Sequence, residues 1–193
     1  MKIAINLKPL NAPWGGGNRF IKSFKNYFAN KDHEVVFSLN HRDIDIILII
    51  DPRPSHPQSS FSVYSVLKYI NNIKEDTIVV HRINECDERK KTNNINNLLR
   101  NANYFSDHTV LVGSWLKNLN ILNSNNVSVI LNGADEKLFY YKEKKINNNA
   151  INLVTHHWSN NWMKGFDIYD YIDKNIINKN KNNKYNFKFT YIG

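Results

Sequence analysis

One cysteine, Cys86, stands in 193 residues, and that count excludes both a disulfide framework and a cysteine-rich zinc site. A reducing, cytoplasmic setting is the expectation. Hydrophobic runs are short. None approaches the roughly 18 apolar residues of a membrane span, and the opening "MKIAINLKPL" turns polar too soon for a secretory leader. Proline is scarce, and three of the five prolines crowd into "PRPSHPQ" (52–58), which must be a loop. Glycine is scarce too, yet three of the seven adjoin at Gly15, Gly16 and Gly17. Acidic residues are the minority, 17 against 26 Lys and Arg, for a formal charge of +9. Such an excess admits acidic partners. The lysines are scattered rather than gathered into a stripe, however, as a codon bias toward Asn, Lys and Ile would produce.

A hydrophobic share of 41%, with 12% aromatic, provides for a packed core and excludes a disordered chain. Apolar periodicity alternates between strand and helix. "KIAINLK" (2–8), "HEVVFSL" (33–39), "IDIILIID" (44–51), "TIVVHRI" (77–83), "TVLVG" (109–113) and "VSVIL" (127–131) read as strands. The third is apolar nearly throughout, as a strand covered on both faces would be. Helical spacing marks Phe20, Ile21, Phe24, Tyr27 and Phe28, then 61–70, 95–103 and 114–122. This alternation predicts a doubly wound, Rossmann-like α/β domain over 1–139. Residues 140–150, "YYKEKKINNNA", read as a linker. A strand (151–157), a helix (164–176) and a strand (187–193) then open a second α/β unit, 151–193, which a single βαβ leaves incomplete.

The glycine cluster falls between the first strand and the first helix. Bare backbone there permits close approach of a ligand, and a helix N-terminus favours an anion. Neither G-x-G-x-x-G nor a P-loop is present. Asn18 is placed to cap the helix, with Arg19 adding charge. The alternative reading is a flexible turn.

Four segments in order resemble the retaining glycosyltransferases of the two-domain GT-B fold, in particular family 4 (group 1). They are "WGGGNRFIKSFKNYF" with "HEV" beyond it, "VVHRINECDERK", "SDHTVLVGSWLKNL" running to "VSVILNGADEKLF", and "NLVTHHWSNNWMKGFDIYDYI". The resemblance spans the chain, while the chain spans roughly half of a family member. It implies an acceptor-side first domain, a donor-binding second domain, and transfer of a sugar from a nucleotide-sugar to an acceptor hydroxyl with retention. The donor would be a UDP- or GDP-sugar, with no permanent cofactor and no metal.

Gly15, Gly16, Gly17 and Asn18 would then meet the donor's phosphates and sugar. Lys164, beside Gly165, matches the family's "KG" lysine and would neutralise the departing diphosphate. His81 matches the histidine near the transferred sugar, and stands as the catalytic candidate. Arg82, Asn84 and Glu85 fall on the acceptor side. The carboxylates of "INECDERK" read equally as a solvated loop, and "NGADEKLF" as a closing turn, with Ser114 and Trp115 as cap and packing. A pair of glutamates spaced E-x7-E would lie past residue 193, so a shortened nucleotide pocket is expected. The acceptor is expected to be a glycan, lipid or small molecule, with peripheral membrane contact in the lipid case; nucleic acid ranks last. The competing reading is a noncatalytic acceptor-binding module, or a split half that needs a donor-domain partner chain.

Overall fold

The computed structural model describes residues 1–12, 15–123, 125–143, 150–157, 162–177 and 186–192. It divides into two compact units, Met1–Gly133 and Ala134–Gly193.

The first unit is built on six strands: β1 (Lys2–Ile5), β2 (Glu34–Val36), β3 (Ile46–Ile49), β4 (Ile78–Ile83), β5 (His108–Leu111) and β6 (Val127–Val129). All neighbours pair in parallel, in the spatial order β2-β1-β3-β4-β5-β6. Helices α1 (Gly15–Ala29), α2 (Val63–Asn72), α3 (Asp87–Lys90) and α4 (Ile95–Asn103) fill the crossovers. Chain order reverses beside β1. The switch point therefore falls between the carboxyl ends of β1 and β3, where open α/β sheets form the crevice that takes ligands.

Alternation along the strands distributes the core onto two faces. Ile3, Ile5, Leu48, Ile50 and Val80 pack with Ile21, Phe20, Phe24 and Phe28 of α1. Ala4, Ile47, Ile49 and Val79 turn the other way, onto Val66 and Tyr69 of α2 and Ala102 of α4. Beyond them Ile83 and Leu111 meet Ile95, Leu99, Leu116 and Ile121. Cover on both faces accounts for the nearly unbroken apolar run 44–50. The doubly wound α/β expectation is met.

Local boundaries differ from the periodicity in two places. Segment 114–122 is a short 3₁₀ turn, Ser114–Asn118, followed by irregular chain. Its apolar side chains Leu116 and Ile121 are both buried, but they lie five apart, a spacing that no helical stripe repeats. Gly113, not Ser114, precedes the turn without a side-chain cap, and Trp115 is exposed rather than packed.

The second unit contains β7 (Ala150–His156) and β8 (Asn186–Ile192), paired in parallel, with α5 (Phe166–Tyr171) running on into a π-helical segment, Ile172–Ile177. Aromatic side chains cluster on it: Phe166, Tyr169 and Tyr191 pack together, with the Tyr169 hydroxyl 3.1 Å from His157 Nε2. His157 lies just past β7.

Candidate functional site at the carboxyl edge of the sheet

The glycines are helical. Gly15 opens α1 with φ of 41°, a left-handed conformation that glycine adopts without strain, so the helix starts earlier than its first apolar residue suggests. A Cβ on Gly16 or Gly17 would have no neighbour within 4 Å. The first turn of α1 therefore presents bare backbone to open space, with its free N–H groups and the positive end of the helix dipole.

Asn18 does not cap this helix, contrary to the sequence expectation. It lies inside the first turn, 4% exposed, and its amide reaches back to the preceding loop. The Leu10 N–H donates to its Oδ1 at 2.7 Å, while Nδ2 donates to the carbonyls of Leu10 (3.0 Å) and Ala12 (3.3 Å). An amide both donates and accepts, so one side chain closes the loop where a capping oxygen would only accept. Gln58 adds a second clamp, donating to the Lys8 carbonyl at 2.8 Å.

Four residues that the sequence reading passed over build the floor of the crevice. Asn6, 2% exposed, joins β1 to β3: its Oδ1 accepts from the Ile50 N–H (2.8 Å) and its Nδ2 donates to the Asp51 carbonyl (2.6 Å). Asp51 ends that strand and is gripped by the Arg53 guanidinium. Burial alone would raise the Asp51 carboxyl, but the hydrogen bonds and charge of Arg53 outweigh it and hold the group below its ordinary range. His56 Nδ1 accepts from the Gln58 N–H at 3.2 Å, which leaves Nε2 to carry the proton toward Asp51, 3.8 Å away. The available signal was an aspartate ending an apolar strand and followed by the proline-rich loop.

Arg53 also crosses to the next strand end, where Glu85 Oε2 lies 3.4 Å from it and Lys90 Nζ is 2.8 Å from Oε1. Glu85 thus joins the crevice as a half-buried, doubly paired carboxylate. Asn84 contributes its carbonyl to Arg89. Asp87 turns away and holds α4, accepting from the Ile95 and Asn96 N–H groups at 2.9 and 3.0 Å. The loop is therefore more ordered than a solvated charge run.

His81 and Arg82 point to opposite faces. The resemblance sets His81 beside the transferred sugar, whereas its ring in the structure is 0% exposed and, among the described residues, neither nitrogen is hydrogen-bonded. Burial pushes its pKa down to about 3, so the ring is neutral. Arg82 is 6% exposed on the α1 side. Its guanidinium carbon stands 4.0 Å from the centre of the Phe20 ring and Nη2 donates to Asn132 Oδ1 at 2.7 Å. Among the described residues buried Nη1 has no acceptor. Desolvation lowers Arg82 to about 10, which keeps it charged at neutral pH.

In the second unit Lys164 is exposed, at the end of a 3₁₀ turn (Trp162–Lys164). Gly165, with φ of 88°, then starts α5. "WSNN" (158–161), which includes most of the segment before the "KG" pair, lies outside the described residues. Among the described residues no group of three or more His, Cys, Asp or Glu could hold a metal ion, and no helix is long and apolar enough to cross a membrane.

In sequence, the chain matches no family model and no curated protein. In structure it is similar to α-glucosyltransferases. One, in complex with UDP and a 13-mer DNA containing a central A:G mismatch, aligns with TM-score 0.54 and 16% identity over 94% of this chain and 54% of its own. A second, with UDP-glucose and DNA containing an abasic site, gives 0.53 and 15% over 90% and 54%. A third, with UDP and a 13-mer DNA containing a HMU base, gives 0.52 and 16% over 92% and 54%. At such identity the likeness shows the fold: the Rossmann-like parallel sheet of GT-B glucosyltransferases. The chain spans about half the length of these enzymes.

The ranking of nucleic acid as the last of the partners is corrected by these complexes. All three structures hold DNA beside UDP or UDP-glucose, so neighbours of this fold meet nucleic acid.

Proposed function

We propose that the chain belongs to a GT-B nucleotide-sugar glycosyltransferase, family 4-like and retaining, whose acceptor is a hydroxyl group on DNA. The observation that carries this reading is the bare first turn of α1 at the crevice of a sheet whose structural relatives hold UDP or UDP-glucose together with DNA. Residues 1–139 form the acceptor-side domain and 151–193 the opening of the donor-binding domain, joined by the linker 140–150. The protein works in the cytoplasm, where nucleotide-sugars and DNA meet.

In this reading Gly15, Gly16 and Gly17 admit the donor phosphates to the N-terminal turn, and Asn18 fixes the loop that borders it. Lys164 offsets the charge that grows on the departing nucleoside diphosphate. In the reaction the bond from the anomeric carbon to the phosphate oxygen breaks, a bond to the acceptor oxygen forms on the same face, and the acceptor proton passes to the leaving phosphate. No protein base is required, and positioning supplies much of the rate. Arg82, Asn84 and Glu85 line the acceptor side, with Arg53 and Lys90 fixing the Glu85 carboxylate. His81 is neutral and enclosed on the face of β4 opposite Arg82.

The test is transfer of labelled glucose from UDP-glucose to an oligonucleotide containing a HMU base. Label in that oligonucleotide, and none in its unmodified counterpart, supports the reading. A second reading is a noncatalytic acceptor-binding module, or a split half completed by a donor-domain partner chain. It predicts oligonucleotide binding without transfer by the chain alone.

A further inference from the structure

Among the described residues Arg82 is a buried cation without a counter-ion. No carboxylate among them lies within ion-pair distance of it, its one hydrogen-bond acceptor there is the neutral amide oxygen of Asn132, and Nη1 meets none of them. A guanidinium taken from water normally recovers its solvation from a carboxylate or phosphate that matches its fork. Here the Phe20 ring supplies a face for the cation but no negative charge.

The position of Phe20 gives this deficit a direction. Phe20 belongs to the second turn of α1, and long helical side chains lean back over the turn that precedes them. The ring that carries the guanidinium therefore borders the first turn, where Gly16 and Gly17 leave open space. The cover on the other side is light, since Asn132 is exposed. Phe20 thus stands between the guanidinium and the helix N-terminus one turn before it, and among the described residues only a neutral amide occupies the acceptor position.

We propose that Arg82, with the first turn of α1, is a receptor for a phosphate oxyanion that displaces the Asn132 amide and takes both guanidinium nitrogens. The inference rests on the functional reading above and deepens it by assigning the charge of Arg82 to phosphate binding. The oxyanion has two sources, the diphosphate of the nucleotide-sugar or a phosphodiester of the acceptor strand.

The experiment is titration calorimetry of the full chain with UDP, inorganic pyrophosphate and a HMU-containing oligonucleotide, for wild type and Arg82→Met. Methionine keeps the apolar stem on Phe20 and removes the charge. Affinity for UDP and pyrophosphate, or for the oligonucleotide, is expected to fall about tenfold or more, and the probe affected identifies the source. The melting temperature of the unliganded variant is expected to rise, because an uncompensated buried charge has gone. Unchanged affinity for every probe overturns the proposal, as does a lower melting temperature with intact binding, the mark of a packing role. Gly16→Leu serves as a second variant that the open space accommodates: it blocks the first turn, and binding that survives it also overturns the proposal. Sugar transfer by an Arg82→Met chain that binds like wild type rejects this inference and leaves the functional reading standing. Arg82-dependent pyrophosphate binding without transfer to any oligonucleotide does the reverse.

Discussion

His81 lies opposite Ile49 in the parallel pairing of β4 with β3, at a level of the sheet where both faces are covered. Its ring is held neutral to about pH 3, while in the unfolded chain it titrates near 6.5. Between those values the unfolded state binds a proton that the native state does not. Stability therefore rises with pH across that window and falls as the solution is acidified below about 6.5, by up to about 1.4 kcal/mol per pH unit for this one group. His81→Leu should flatten the slope between pH 6.5 and 4 and raise stability by about 1 to 3 kcal/mol, since two unmade hydrogen bonds disappear. Chemical denaturation at several pH values measures both effects.

Asn6 is expected to be the most sensitive polar residue of the crevice. Asn6→Ala removes the bonds to Ile50 and Asp51 and leaves backbone groups at the carboxyl ends of β1 and β3 without partners. A loss of about 2 to 4 kcal/mol follows, read as a lower denaturation midpoint with an unchanged slope.

Lys164→Ala should leave folding intact, because the side chain is exposed. If Lys164 meets the leaving diphosphate, kcat falls on the order of a hundredfold. Transfer at the wild-type rate with an unaltered melting curve would remove it from the site.

DNA binding should be steeply salt-dependent. A chain of charge +9 that neutralises several phosphates releases their counter-ions, so the logarithm of the affinity falls with that of salt by about 0.9 for each duplex phosphate contacted. Fluorescence anisotropy between low and physiological salt gives the slope. A flat dependence would mean that phosphates are not what the protein holds.

The fold was legible in the sequence because both faces of the sheet are covered: apolar runs such as 44–50 have no other stable placement, and periodicity finds them. The helix at 114–122 was misread because Leu116 and Ile121 are buried by a chain that merely crosses the core. The glycine cluster marked the right edge of the sheet, but a positive φ at Gly15 cannot be read from periodicity, so α1 was started late and Asn18 was taken for a cap. Arg53 and Glu85 are far apart in sequence and meet only because β3 and β4 are neighbours. The run of β4 through Arg82 to Ile83 was legible, but not that the face carrying His81 is fully covered. The proposed DNA acceptor had no local signal, since the cations that would meet it are spread along the chain and no single motif collects them.

The most direct test of the account is the fate of labelled glucose when the protein is given UDP-glucose and paired oligonucleotides that differ only in a HMU base. The account predicts label on the HMU oligonucleotide alone, released as a glucosylated nucleoside on digestion. No label on either oligonucleotide, together with no measurable affinity for UDP or DNA, would contradict it.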